Sequence, residues 1–223
     1  NDELKKTGLL IGTTAIRLIQ FGQIKEANKL ATLAVRLNDD DDQLWTILAD
    51  TQIRQNQFKK ATQSLAKAKA INPKRAGIWF SEGSVAIQQK QPKIAVISIN
   101  QGLQLDPNNA EGHFQMGNAR IMQGKYKLAL KAFEKSYQIK PRFWQSLNNS
   151  GLVLFELGKT QPAINAWRKV LEIEKDAEPL LALAAALNHL NKNNKEALTL
   201  AEEALNKNPN YISKEHQKEQ LWG

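Results

Sequence analysis

The side chains that could do chemistry are few and scattered. Histidine occurs three times, at His113, His189 and His216, and no two of them stand at the short helical separations that let imidazoles share a metal ion. Cysteine is absent, which removes thiolate nucleophiles, disulfides and Cys-based zinc sites. Gly158-Lys159-Thr160 has the ending of a phosphate-cradling loop, but that loop needs an earlier glycine where Val153 stands, and a strand before it. The acidic run at 39–42 lacks the loop glycine and distal glutamate of a calcium loop. Acids there instead suit the positive end of a following helix. Asn148-Asn149-Ser150 spells a glycosylation acceptor, yet falls within a segment read as helix. No nucleophile, base and acid share a pattern, so no catalytic residue, metal or cofactor is expected, and the chain reads as a non-enzyme without a small-molecule substrate.

What does recur is a register. Pro73, Pro107, Pro141 and Pro209 fall on one 34-residue ruler, with Asp39 and Lys175 at its remaining marks. A period of that length is the signature of stacked helix pairs. With Pro107 as position 32 of its repeat, position 20 is Ala27, Ala61, Ala95, Ala129, Ala163 and Ala197. Position 8 is Ala15, Ala49, Gly83, Gly117, Gly151 and Ala185, and position 27 is Ala34, Ala68, Gly102, Ser136, Val170 and Ala204. Small residues at fixed marks let the two helices of a pair approach closely. Trp45 and Trp79 at position 4, and Phe133 and Trp167 at position 24, are read as the plugs between them. Gly22, Gly124 and Gly158 at position 15 stop the first helix, and the prolines stop the second.

These marks resemble the tetratricopeptide repeat family, whose pattern sets a Trp, a Leu-Gly pair, a Tyr, an Ala, a Phe, an Ala and a Pro at those positions. The best single match is 110–141, with Met116-Gly117, Ala129, Phe133 and Pro141 in place, while position 11 is never Tyr. The resemblance implies an all-α, right-handed α-solenoid of about six helix pairs forming one domain over 1–223. Its repeats are 8–41, 42–75, 76–109, 110–143, 144–177 and 178–211. A capping helix is expected over 212–223, with Leu221 and Trp222 turned inward. The lysine- and asparagine-rich style, with Gln220-Leu221-Trp222-Gly223 at the end, further resembles cyanobacterial repeat proteins, some of which assist photosystem or pigment-enzyme assembly.

In such a stack the first helices line a concave groove, through positions 2, 5, 6, 9, 12 and 13. Position 12 gives a mostly apolar ladder of Ile19, Ile53, Ile87, Ile121, Phe155 and His189, and position 5 adds Phe80 and Phe114 one repeat apart. The strip could anchor an extended or helical peptide, or could be half covered by the neighbouring helix. In peptide-binding members of the family, asparagines at the places of Asn118 and Asn149 hold the ligand's main chain, because a carboxamide donates and accepts at once. The candidate groove is therefore Phe80, Ile87, Phe114, Asn118, Ile121, Asn149, Leu152 and Phe155. The family's chaperone-tail clamp also needs basic residues where this chain has Phe114, Pro179 and Leu183. That clamp is disfavoured, and an internal or apolar segment is the expected ligand.

Composition adds a charge of +9 from 31 basic and 22 acidic residues. Many lysines sit on second helices, among them Lys59, Lys60, Lys67, Lys69, Lys127, Lys131, Lys135 and Lys169. They read as a solvated convex face with at most a weak anionic-surface contact. Nucleic acid is an unlikely partner, since stacking aromatics and regularly placed recognition pairs are missing. The apolar stretch at 8–21 is interrupted by Thr13, Thr14, Arg17 and Gln20 and is too short to span a bilayer. A cytoplasmic location is expected, with any membrane association supplied by a partner or by residues ahead of Asn1. The leading functional expectation is a scaffold that binds a protein segment, with an assembly role as its narrower form. A basic nucleic-acid-binding repeat protein and a regulatory module of a larger enzyme stand as alternatives.

Overall fold

The computed structural model describes residues 2–191, 194–213 and 215. Among them the backbone forms twelve α-helices, one terminal 3-10 turn and no strand. The first helices of successive pairs are α1 (Asp2–Gln20), α3 (Asp42–Arg54), α5 (Ala76–Gln88), α7 (Ala110–Met122), α9 (Trp144–Glu156) and α11 (Ala177–Leu190). Their partners are α2 (Ile24–Leu37), α4 (Phe58–Ile71), α6 (Pro92–Leu105), α8 (Tyr126–Ile139), α10 (Thr160–Ile173) and α12 (Lys195–Lys207). Helices α2 to α10 on the even side start at 24, 58, 92, 126 and 160, each 34 residues after the last. The architecture is an all-α helical-repeat solenoid. None of the described helices is long and apolar enough to cross a membrane.

Contacts divide the chain into two compact units, Asn1–Gln123 and Gly124–Gly223. In the first, each helix packs on the next from α1 to α7, and α1, α3, α5 and α7 also touch in turn. In the second, α8 to α12 pack in the same sequential way and α9 touches α11. Short-range packing of this kind is what a repeat architecture requires, since each pair buries its apolar stripe only against its neighbours.

The position-20 alanines are the buried hinge of every pair: Ala27, Ala61, Ala95, Ala129 and Ala163 have no exposed surface, and Ala197 is 5% exposed. Position 24 beside them varies widely, from Ala31 through Leu65 and Ile99 to Trp167, all buried. Position 8 of the same pair answers to the shape of that side chain. Ala15 stands with Ala31 and Ala49 with Leu65, while glycine stands where Ile99 or Trp167 occupies the place of a Cβ. A Cβ on Gly151 would meet the Trp167 ring at 2.7 Å, and one on Gly83 would meet Ile99. Glycine normally weakens a helix interior by about 1 kcal/mol relative to alanine. Here that cost is accepted because the space belongs to another side chain.

The turns inside the pairs follow one geometry. Residues 22, 56, 90, 124 and 158, all at position 15, have positive φ, between 56° and 72°. The N–H of the next residue then reaches back to the carbonyl five before it, as Gln57 N to Gln52 O at 2.8 Å and Lys159 N to Leu154 O at 2.9 Å. The position-15 N–H bonds the carbonyl three before it, as Asn56 N to Ile53 O and Gly158 N to Phe155 O, both 2.9 Å. This is the Schellman arrangement, which satisfies the last carbonyls of the first helix. Glycine supplies it at 22, 124 and 158, but Asn56 and Lys90 are bent into the same left-handed conformation.

A second recurring bond ties each inter-repeat turn to the helix that follows. Trp45 Nε1 donates to Asp39 O and Trp79 Nε1 to Pro73 O, both at 2.8 Å, and His113 Nε2 reaches Pro107 O at 2.9 Å. The position-4 rings are thus half-buried latches over the turn, where the sequence suggested core plugs. Asp41 caps α3 through Gln43 N and Leu44 N, and Asn109 caps α7 through Gly112 N.

The ends depart from the expected boundaries. Helix α1 begins at Asp2, ahead of the expected repeat start at residue 8. Helix α11 begins at Ala177, where Asp176 accepts from Ala177 N at 2.6 Å. Leu180, Leu183 and Leu187 set the buried stripe of α11, so Ala184 and Ala186 turn inward and Ala185, expected at the helix crossing, is exposed. Tyr211, in the turn Pro209–Ile212, is buried with Ala177, Leu180 and Ala204. The expected capping helix over 212–223, with Leu221, Trp222 and His216, lies outside the described residues except for Ile212, Ser213 and Glu215.

Three expectations follow from this packing. Lys90→Gly stabilises the chain by about 1 kcal/mol in urea unfolding, because relief of the left-handed strain exceeds the added unfolded-state entropy; a destabilised variant would show that the turn is unstrained. Gly151→Ala destabilises it by about 1–3 kcal/mol despite alanine's better helix propensity, since the Trp167 ring must move; equal melting temperatures would contradict the volume argument. Burial, then Glu178 and Asp176, push the Tyr211 phenol up to about 12. Its stabilising contribution is therefore complete below the ordinary phenol value near 10 and is lost as pH rises from there toward 12. Ultraviolet titration of the chain against Tyr211→Phe should show one late tyrosinate step disappear.

Candidate peptide-binding groove

A groove on the first-helix side needs those helices to present short apolar and carboxamide side chains between them. In the first unit α1, α3 and α5 do so around a cleft of about 420 Å³. Ile16, Ile19 and Gln20 come from α1, and Gln43, Thr46, Ile47 and Asp50 from α3. Ser81 of α5 and Arg75, just ahead of it, complete the wall. All but Arg75 stand at positions 2, 5, 6, 9, 12 or 13 of their repeats. Two ion pairs edge the apolar strip. Arg54 Nε lies 3.1 Å from both carboxylate oxygens of Asp50, and Arg75 pairs with Asp42. The cleft thus combines an isoleucine floor with amides that can exchange hydrogen bonds with a main chain.

The residues nominated from sequence take different places. Phe80 is a correction: it is only 7% exposed and belongs to the core with Ala86, Ala95, Ile99 and Ala119. Its ring fills the space left by two glycines, since a Cβ on Gly102 would meet it at 2.5 Å and one on Gly112 would also strike it. Ile87 is half-buried and packs against that same cluster. On α7, Phe114, Asn118 and Ile121 are half-buried. Position 6 of α7, unremarked in the sequence, carries Gln115, whose buried Oε1 accepts no hydrogen bond among the described residues.

In the second unit α9 presents Asn149, Leu152 and Phe155, all half-buried. Leu152 and Phe155 rest on the cluster built from Trp167, Leu183 and Leu187. The Phe155 ring lies 6.2 Å from Trp167, tilted at 53°, and 5.4 Å from His189, edge to face at 78°. Position 12 is therefore partly committed to packing here, the second of the two readings its pattern allowed. Asn148 is buried and donates through Nδ2 to Glu178 Oε1 at 2.9 Å, tying α9 to α11. Asn118 lies in the first unit and Asn149 in the second.

The second helices carry the charge. Lys59, Lys60, Lys67, Lys127, Lys131, Lys135 and Lys169 are exposed, as a solvated face requires. Lys69 differs: it is half-buried, pairs with Glu82 and stands 4.6 Å over the Trp79 ring. Among the described residues no three His, Asp or Glu side chains are grouped to hold a metal ion.

The tetratricopeptide repeat family pattern matches residues 42–75, 76–109 and 110–143. No curated protein matches the chain in sequence. Among solved structures, the APC/C hetero-tetramer Cut9-Hcn1 is similar with a TM-score of 0.82 at 17% identity, over 91% of this chain. The chain spans 40% of the length of that relative. PilW, described as a widely conserved type IV pilus biogenesis factor, is similar with a TM-score of 0.80 at 20% identity, over 95% of this chain and 97% of its own. YrrB, described as having an unusual peptide-binding site, is similar with a TM-score of 0.60 at 20% identity, over 78% of this chain and 89% of its own. At these identities the likeness is one of fold.

Proposed function

We propose that this chain, a tetratricopeptide-repeat protein, is a non-catalytic scaffold that binds a segment of a partner protein along its first helices. Its repeats place it among protein-interaction scaffolds. The observation that carries the finer reading is the cleft between α1, α3 and α5, whose isoleucines and amides stand at the groove-facing positions of three consecutive repeats. A segment of alternating or helically spaced apolar residues matches that lining, with its main chain held by carboxamides. Phe114, Asn118 and Ile121 on α7 extend the same set of positions, and Asn149, Leu152 and Phe155 on α9 do so in the second unit. Peptide binding by YrrB and a biogenesis role for PilW are compatible with this reading and with an assembly role for the chain.

The experiment compares the wild-type chain with Ile16→Asp/Ile47→Asp and with Asn118→Ala/Asn149→Ala, first by affinity capture and then by titration of the captured segment as a synthetic peptide. The aspartates abolish capture, and the alanine pair lowers affinity by about 1–3 kcal/mol with no change in melting temperature. Capture that is indifferent to the aspartate variant overturns the groove reading, and equal peptide affinity in the alanine pair removes both asparagines from it.

A further inference from the structure

The opposite side of the first unit carries a second cleft, of about 370 Å³, walled by α4 and α6 and floored by α5. Leu65, Trp79 and Val85 line its interior, and Ile94 and Ile97 stand on its α6 wall. The two isoleucines are 52% and 64% exposed, three residues apart on one face of the helix. A second helix of a repeat protein normally turns charge to solvent, as α8 does with Lys127, Lys131 and Lys135. Helix α6 instead offers isoleucine there.

The two helices that wall this cleft carry charge of one sign. Among the second helices, α4 and α6 are the two without an aspartate or glutamate, whereas α2 has Glu26, α8 Glu134, α10 Glu172 and α12 Glu196. Lys59 and Lys60 open α4, and Lys90 and Lys93 flank the start of α6. The one carboxylate in the lining, Glu82, is paired with Lys69. Low-dielectric walls with a basic rim attract acidic groups and repel basic ones. The Lys69 ammonium covers a face of the Trp79 ring, and the indole N–H is spent on Pro73 O, so that ring has little to offer a nucleobase. A concave slot between two helices also fits a rod better than a flat lipid surface.

We propose that the cleft between α4 and α6 is a second docking site, for a helical segment of a partner protein that carries apolar side chains on one face and aspartate or glutamate beside them. Its apolar residues pack against Ile94 and Ile97, and its acids meet the lysines at the rim. The site is separate from the first-helix groove and does not rest on it.

A random peptide library displayed on phage, selected against the full chain, tests this. The expected products share apolar residues three or four apart flanked by acids. Their synthetic versions bind the chain at least about tenfold more weakly after Ile94→Asp/Ile97→Asp. The same loss follows Lys59→Glu/Lys93→Glu, which leaves the apolar wall intact, and rising salt weakens binding to the wild type. Asn118→Ala leaves it unchanged. Selection that yields no such peptides overturns the proposal, as does binding to either double variant that is as tight as to the wild type. It is also overturned if single-stranded RNA or phosphatidylserine vesicles, rather than peptides, are the probes whose binding depends on Ile94 and Ile97.

Discussion

Everything in this chain depends on how closely the two helices of a pair can cross. Alanine at position 20 is buried at each crossing, and glycine at position 8 makes room where the side chain at position 24 reaches across. Where Trp167 or Ile99 enters, the facing residue has given up its Cβ, as Gly151 and Gly83 have. Where position 24 is only Ala31, position 8 can be Ala15. Each large plug buried in this way contributes roughly 1.5–3 kcal/mol of apolar transfer. Close crossing matters more than that sum, because a stack of repeats passes any error in one crossing to the next contact surface.

The period, the helix pairs and the alanine ladder were legible because each is written in a repeated residue type. What was not legible is written in single substitutions. Phe80 occupies a groove position by number, but Gly102 and Gly112 vacate a space into which its ring falls, and no periodic reading of one position shows a vacancy made by two others. Lys90 hides a left-handed turn because the closure of α5 onto α6, not its residue type, demands that conformation. Ala185 is small like its equivalents, yet the leucine stripe of α11 rotates it outward. The cleft in the first three repeats is implicit in the position rule, but its isoleucines are less conspicuous in the sequence than the asparagines and phenylalanines further along.

The two sides of the first unit differ in what they can recognise. On the first-helix side, isoleucines sit between neutralised pairs, Asp50 with Arg54 and Asp42 with Arg75, so selectivity rests on shape and hydrogen bonding. On the second-helix side α4 and α6 carry no carboxylate to balance Lys59, Lys60 and Lys93, so in the proposed site selectivity rests on the sign of the partner. A scaffold with one steric and one electrostatic face can hold two ligands without competition, because neither face uses a residue of the other.

The ring latch over the inter-repeat turns is the same bond made by two different heterocycles. Indole has one N–H and no choice of where to put it, so Trp45 and Trp79 are donors by constitution. Imidazole has two nitrogens, and a carbonyl acceptor at Nε2 selects, in the neutral ring of His113, the tautomer protonated there. Nδ1 of that ring is then left as an acceptor, a lone pair that neither indole has. The third turn therefore adds an acceptor to the same joint, a property the two tryptophan turns lack.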